Sequence, residues 1–99
     1  MLKLNPDRLP IKYVLGIEKE LPSWPEPIDV LHYVVDRANR YPDRFKDTFT
    51  LHSVAKYYCP GREEILGQSI ETLIAKGFIA QTKDEPGKET YQVLTNPFE

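Results

Sequence analysis

The sequence predicts an α+β fold, three helices followed by a two-stranded hairpin, on three observations. After Pro27 the apolar residues recur at helical spacing in three successive stretches. Gly77 stands just past the last of them, directly after Lys76, as expected of a helix C-terminus. Two runs rich in β-branched and aromatic residues then flank the turn cluster Asp84-Glu85-Pro86-Gly87.

The first helix starts at Pro27, a residue suited to an opening turn, and places Ile28, Leu31, Val35 and Ala38 on one side, ending near Tyr41–Pro42. Thr48-Phe49-Thr50 suits a short strand or an N-cap. With Thr50 as cap, Leu51, Val54, Ala55 and Tyr58 form the stripe of a short second helix. Cys59-Pro60-Gly61 breaks it, because proline restricts the residue before it and glycine accepts positive φ. The third helix is expected over Arg62–Lys76, with Ile65, Leu66, Ile70, Leu73 and Ile74 inward. The strands are expected at Phe78–Lys83 and Glu89–Thr95, and the closing Asn96-Pro97-Phe98-Glu99 is too short for an element.

The N-terminal region is cut by Pro6, Pro10, Pro22, Pro25 and Pro27. Between them Ile11, Val14, Leu15, Ile17 and Leu21 suit an amphipathic helix, although Gly16 in its middle costs about 1 kcal/mol against alanine. Residues 1–25 therefore read as an arm with a stiff linker, Trp24 being either exposed or docked, and residues 26–99 as the domain proper. The arm's apolar positions make it the expected dimerisation segment of a homodimer.

Composition narrows the function. Hydrophobic residues at 40% and charged residues at 28% are ordinary for a globular chain, and no apolar run approaches the ~20 residues of a membrane span. No signal peptide is legible after Met1, so a cytoplasmic setting is the expectation. Cys59 is the only cysteine, which rules out an internal disulfide and a thiolate-rich zinc site, and it is expected to be a small buried hydrophobe. The net charge of −2 is not that of a strongly basic nucleic-acid binder, but the charge is uneven. Arg37, Arg40, Arg44, Lys46, Lys56 and Arg62 outnumber Asp36, Asp43 and Asp47 in the middle of the chain, which makes that segment the candidate for meeting phosphate.

The order helix, strand, helix, sharp turn, helix, hairpin, with Leu73-Ile74-Ala75-Lys76-Gly77-Phe78-Ile79 leading into it and Tyr91-Gln92-Val93-Leu94-Thr95 returning, resembles the winged helix-turn-helix of bacterial, archaeal and phage regulators and replication proteins. The resemblance covers about Pro27 to Thr95. It implies a three-helix core with a C-terminal β-hairpin wing, and double-stranded DNA as partner. It also implies that the third helix enters the major groove while its neighbours and the wing hold phosphates.

Carried onto this chain, Arg62 and Gln68 are the candidate base readers, since guanidinium suits guanine and the amide suits adenine. Arg37, Arg40, Arg44 and Lys46 are either a solvated helix end that complements the helix dipole or phosphate contacts beside the groove, and Lys56 is a further candidate for meeting phosphate. Lys83 and Lys88 flank the hairpin tip, but Asp84, Glu85 and Glu89 stand among them, so a solvated turn competes with a phosphate clamp. Glu63, Glu64 and Glu71 oppose a DNA reading of the third helix. The first two suit a positive helix N-terminus, and all three suit a protein partner. Gly67 within that helix either admits a close neighbour or bares backbone to a partner.

His32 and His52 stand far apart, and no nucleophilic triad, Gly-rich phosphate loop or metal-spaced cluster is present, so neither catalysis nor a cofactor or metal is expected. Two functions remain: a winged-helix DNA-binding protein of transcription or small-genome replication, or a winged-helix module whose acidic third helix docks on protein.

Overall fold

A computed structural model describes residues 2–9, Lys19 and residues 21–99. The expected amphipathic positions Ile11, Val14, Leu15 and Ile17 lie outside the described residues. After a 3₁₀ turn at Pro6–Arg8 the elements are α1 (Pro27–Arg40), β1 (Thr48–Thr50), α2 (Leu51–Tyr57), α3 (Glu63–Ala75), β2 (Ile79–Lys83) and β3 (Thr90–Val93). The class is α+β, with three α-helices and a three-stranded antiparallel sheet in the order β1-β3-β2. This arrangement is compatible with a winged helix.

Each helix begins and ends for a local reason. Pro27 opens α1, and the backbone N–H of Glu26 donates to the Asp29 carboxylate at 2.9 Å, satisfying a donor that the helix leaves free. Thr50 is both the last residue of β1 and the N-cap of α2, its hydroxyl accepting from the Ser53 N–H at 3.1 Å. Gly61, at φ 84°, turns the chain between α2 and α3. At the far end of α3, Gly77 at φ 78° lets its own N–H reach the Ile74 carbonyl and the Phe78 N–H reach the Leu73 carbonyl, each at 3.0 Å. That pair of bonds closes the helix and aims the chain into β2.

The core draws on every layer. Val30, Leu31, Val34 and Val35 of α1 meet Val54 of α2, Leu66, Ile70 and Leu73 of α3, and the inward face of the sheet. Burying each such side chain contributes about 1.5–3 kcal/mol. On the sheet, Phe49 pairs with Tyr91 and their rings lie 5.4 Å apart; Ile79 pairs with Val93, so alternate residues of β3 point into the core. A register shift between Gln81 and Lys83 marks where the hairpin leaves the sheet.

The chain ends are more firmly placed than the sequence suggests. Trp24 is 6% exposed and Pro25 is fully buried, so Leu21–Pro25 belongs to the body of the domain. Trp24 packs edge-on against Tyr58 with ring centroids 4.8 Å apart, and the Ser69 hydroxyl donates to the Pro25 carbonyl at 2.6 Å. Leu2, Leu4 and Leu9 pack on the core. The closing stretch forms no helix or strand, as expected, but it is docked: Phe98 is 2% exposed and set against His32 at 5.5 Å, and its carbonyl accepts from the Asn5 N–H at 2.7 Å.

Candidate nucleic-acid interface

Two surfaces compete, the outer face of α3 and the basic margin where α1 ends. On α3 the exposed residues are Glu63, Glu64, Gln68, Glu71 and Ala75. Arg62, the N-cap residue, is turned into the body. Its Nη1 donates to the carbonyls of Leu21 at 3.0 Å and Trp24 at 2.7 Å, and its guanidinium carbon lies 5.7 Å from the Trp24 ring centroid. It is engaged as a clamp between α3 and the preceding segment. Gln68 is exposed but edges a shallow hollow with Pro22, Ser23 and Ile65, so the N-terminal segment crowds one side of the helix.

Gly67 does not serve close packing. A Cβ built there meets nothing within 4 Å, and the position has no positive φ that would require glycine. Gly67→Ala is therefore expected to stabilise the fold by about 0.5–1 kcal/mol, read as a rise in denaturation midpoint at constant m-value. A fall in midpoint would mean that the space is occupied.

The basic margin is built by α1, the turn after it and α2. Arg44 and Phe45 both donate their backbone N–H to the Tyr41 carbonyl, at 3.0 and 2.9 Å, which folds the loop back over the helix end. A cleft of about 480 Å³ results, lined by Tyr33, Arg37, Arg40, Arg44, Ser53 and Tyr57 among others. Arg40 and Arg44 are exposed on it, Arg40 bound to Asp36 one turn earlier at 3.0 Å. Lys56 stands beside it, its Nζ 5.3 Å from the Tyr57 ring centroid. Lys46 lines the neighbouring hollow beyond Phe45, together with Leu2, Pro42 and Val93. Asp47 is occupied there by Gln92, whose Nε2 donates to it at 3.0 Å.

The hairpin is the weakest part of the expected interface. Lys83 pairs with Glu85 at 3.8 Å, and Glu89 accepts from the Gly87 N–H at 3.3 Å, so the tip is internally balanced; Lys88 is exposed beside it. The structure thus brings Arg40 and Arg44 together on one cleft, sets Lys46 on the adjoining hollow and Lys56 against the cleft residue Tyr57, and separates Lys83, Lys88, Gln68 and Arg62.

Comparison of the chain with protein-family models, with curated proteins and with solved structures finds no match.

One residue at the centre of the margin differs most from its reading as part of a solvated helix end. Arg37 is only 8% exposed. Its Nη1 donates to Ser53 Oγ at 3.1 Å and its guanidinium carbon lies 4.1 Å from the Phe45 ring centroid, while Nε has no hydrogen-bond partner. Burial lowers its pKa, and the neighbouring Tyr33, by its electrostatic interaction and a side-chain hydrogen bond, opposes that. The signal available in the sequence was position: Arg37 follows Tyr33 by four and Val34 by three, on the flank of the apolar stripe.

Among the described residues no group of three or more His, Cys, Asp or Glu side chains is placed to hold a metal ion, and no helix is long and apolar enough to cross a membrane. Cys59 is buried, and burial first, then the nearby charge of Glu63, push its thiol up to about 11 against the opposing pull of Arg62. It remains a neutral packing residue at ordinary pH.

Proposed function

We propose that this chain is a winged-helix module that binds double-stranded DNA, without catalysis, by holding the phosphate backbone on Arg40, Arg44, Lys46 and Lys56, in transcription control or small-genome replication. The observation that carries the reading is the gathering of exposed Arg40, Arg44 and Lys46 around one cleft and the hollow beside it, where Asp36 and Asp47 are already engaged by Arg40 and Gln92. The element order and the β1-β3-β2 sheet support it. Sequence discrimination in this arrangement is weak, because phosphate contacts position a protein on DNA without reading bases and Gln68 alone remains on α3 as a side-chain base reader.

Gel shifts with random and defined duplexes across a salt series test it. Arg44→Ala and Lys46→Ala are each expected to weaken all sequences alike and to flatten the slope of log K against log salt by about one. Absence of duplex binding at low salt would remove this reading. The exposed Glu63, Glu64 and Glu71, with Arg62 turned away from them, favour the second one, in which α3 docks on a protein carrying basic groups. Glu63→Gln with Glu64→Gln separates the two: it raises duplex affinity if α3 approaches DNA, and weakens a protein partner if α3 is the docking face.

A further inference from the structure

We propose that the cleft between α1, the 41–45 turn and α2 takes a nucleoside 5′-monophosphate group, with the phosphate on Arg37, Arg44 and the Ser53 hydroxyl and the base against Tyr57 or Tyr41. This concerns the interior of the cleft whose rim carries the cations assigned above, and it does not require that they hold duplex DNA.

Three features of the cleft converge on that ligand. The first is an uncompensated buried charge. Arg37 is more than nine-tenths buried, and its partners are all neutral: the Ser53 hydroxyl, Tyr33, which hydrogen-bonds it and whose ring centroid lies at 5.5 Å, and the Phe45 ring at 4.1 Å. Among the described residues no carboxylate pairs with it, Asp36 being engaged by Arg40, and its Nε proton is unused. A guanidinium removed from water without a counter-ion is costly, and an oxyanion in the cleft supplies both the missing charge and an acceptor. The second is further positive charge at the mouth. Arg44 is exposed, with its guanidinium carbon 5.5 Å from the Phe45 centroid, which suits a dianionic terminal phosphate better than a single carboxylate.

The third is aromatic surface that the fold leaves uncovered. Tyr33 stacks on Tyr58 at 4.1 Å and Phe45 is covered by Arg37, so these two are already used. Tyr41 and Tyr57 line the same cleft and remain 55% and 71% exposed. An inorganic anion has no use for them, whereas a nucleobase stacks on such faces whatever its identity. The volume, about 480 Å³, falls in the range of small-ligand sites.

The phosphate can arrive on a free mononucleotide or on the 5′ end of a strand, and calorimetry distinguishes the sources. The probes are thymidine 5′-monophosphate, thymidine, inorganic phosphate, and a short oligothymidine with either a 5′-phosphate or a 5′-hydroxyl. The expected result is that the phosphorylated strand binds at least about fivefold more tightly than the hydroxyl strand, that thymidine monophosphate competes away this gain, and that thymidine does not. A free mononucleotide that binds more tightly than the strand assigns a soluble ligand; the reverse order assigns a strand end. Tyr41→Ala combined with Tyr57→Ala should weaken the mononucleotide at least about fivefold and leave inorganic phosphate unchanged, while Arg37→Lys should weaken both. Should Arg37→Lys fail to fold, Arg44→Gln and Ser53→Ala carry the same test from less buried positions. Equal affinity for the phosphorylated and hydroxyl strands together with no preference for thymidine monophosphate over thymidine overturns the proposal, as does inorganic phosphate binding as tightly as the mononucleotide. Duplex binding that persists without 5′-phosphate discrimination sinks this proposal alone; mononucleotide binding without duplex binding sinks the reading of the rim alone.

Discussion

Trp24→Ala is expected to lower the stability of the domain by about 3–5 kcal/mol, the range for emptying a buried aromatic site. In a domain of this size that corresponds to a fall in Tm on the order of 20 °C. The reason is position: Trp24 is buried, forms an edge contact with Tyr58, and lies next to the fully buried Pro25. Its indole Nε1 is buried without a hydrogen-bond partner, so the side chain contributes through its area, against the cost of one unsatisfied donor. Trp24→Phe removes that donor while keeping a ring in the site, and its loss should be well under half that of alanine. Thermal and urea unfolding followed by circular dichroism measure both. A loss of less than about 1 kcal/mol for Trp24→Ala would show that residues 21–25 are not part of the core.

Arg62→Ala is the second large effect, expected at about 1.5–3 kcal/mol, because the guanidinium donates charge-assisted hydrogen bonds to two backbone carbonyls and covers an aromatic ring. Lysine should rescue little, since an ammonium cannot reproduce the planar fork. The readout that separates this role from base recognition is a pair of measurements on one variant. A clamp moves the Tm, by about 10 °C, and leaves sequence preference unchanged. A base reader leaves the Tm in place and relaxes preference at one base pair by about 1–3 kcal/mol. A Tm unmoved by the substitution would return Arg62 to the DNA-facing surface.

These two residues also show where reading from sequence stops. The helices were legible because periodicity, caps and breakers agree: α1 and α3 lie within two residues of the expected limits, and Gly77 closes α3 where a glycine was expected. The hairpin strands were legible from composition, though both are shorter than expected, Ile79–Lys83 and Thr90–Val93. Thr48–Thr50 was read as strand or cap and is both. Its membership of the sheet depends on pairing with residues 90–92, a contact between distant stretches that no local pattern encodes.

The same limit hid the role of Arg62, whose partners are main-chain carbonyls 38 and 41 residues upstream. A carbonyl is present at every residue and leaves no mark in the sequence, so an arginine at a helix N-cap looks free. Arg37 was obscured differently. An arginine late in a helix suits the dipole on the surface, and only the fold of Tyr41–Phe45 back over it makes it an interior charge. Phe98, beyond the end of the strand-like run, had no periodicity to announce its burial.

The contacts at the two extremities have a topological consequence. The Asn5 N–H meets the Phe98 carbonyl and the Asn96 side chain donates to the Lys3 carbonyl, both at 2.7 Å, while the Leu4 N–H donates to the Asn39 side chain at 3.2 Å. Residues 3–5 and 96–98 thus run side by side, and the path of the backbone is almost a closed ring. A ring has no privileged starting point: a short glycine bridge across that seam, with the chain reopened at the exposed Glu85–Gly87 turn, would preserve α1, α2 and α3 in unbroken succession and alter only which strand of the hairpin is translated first.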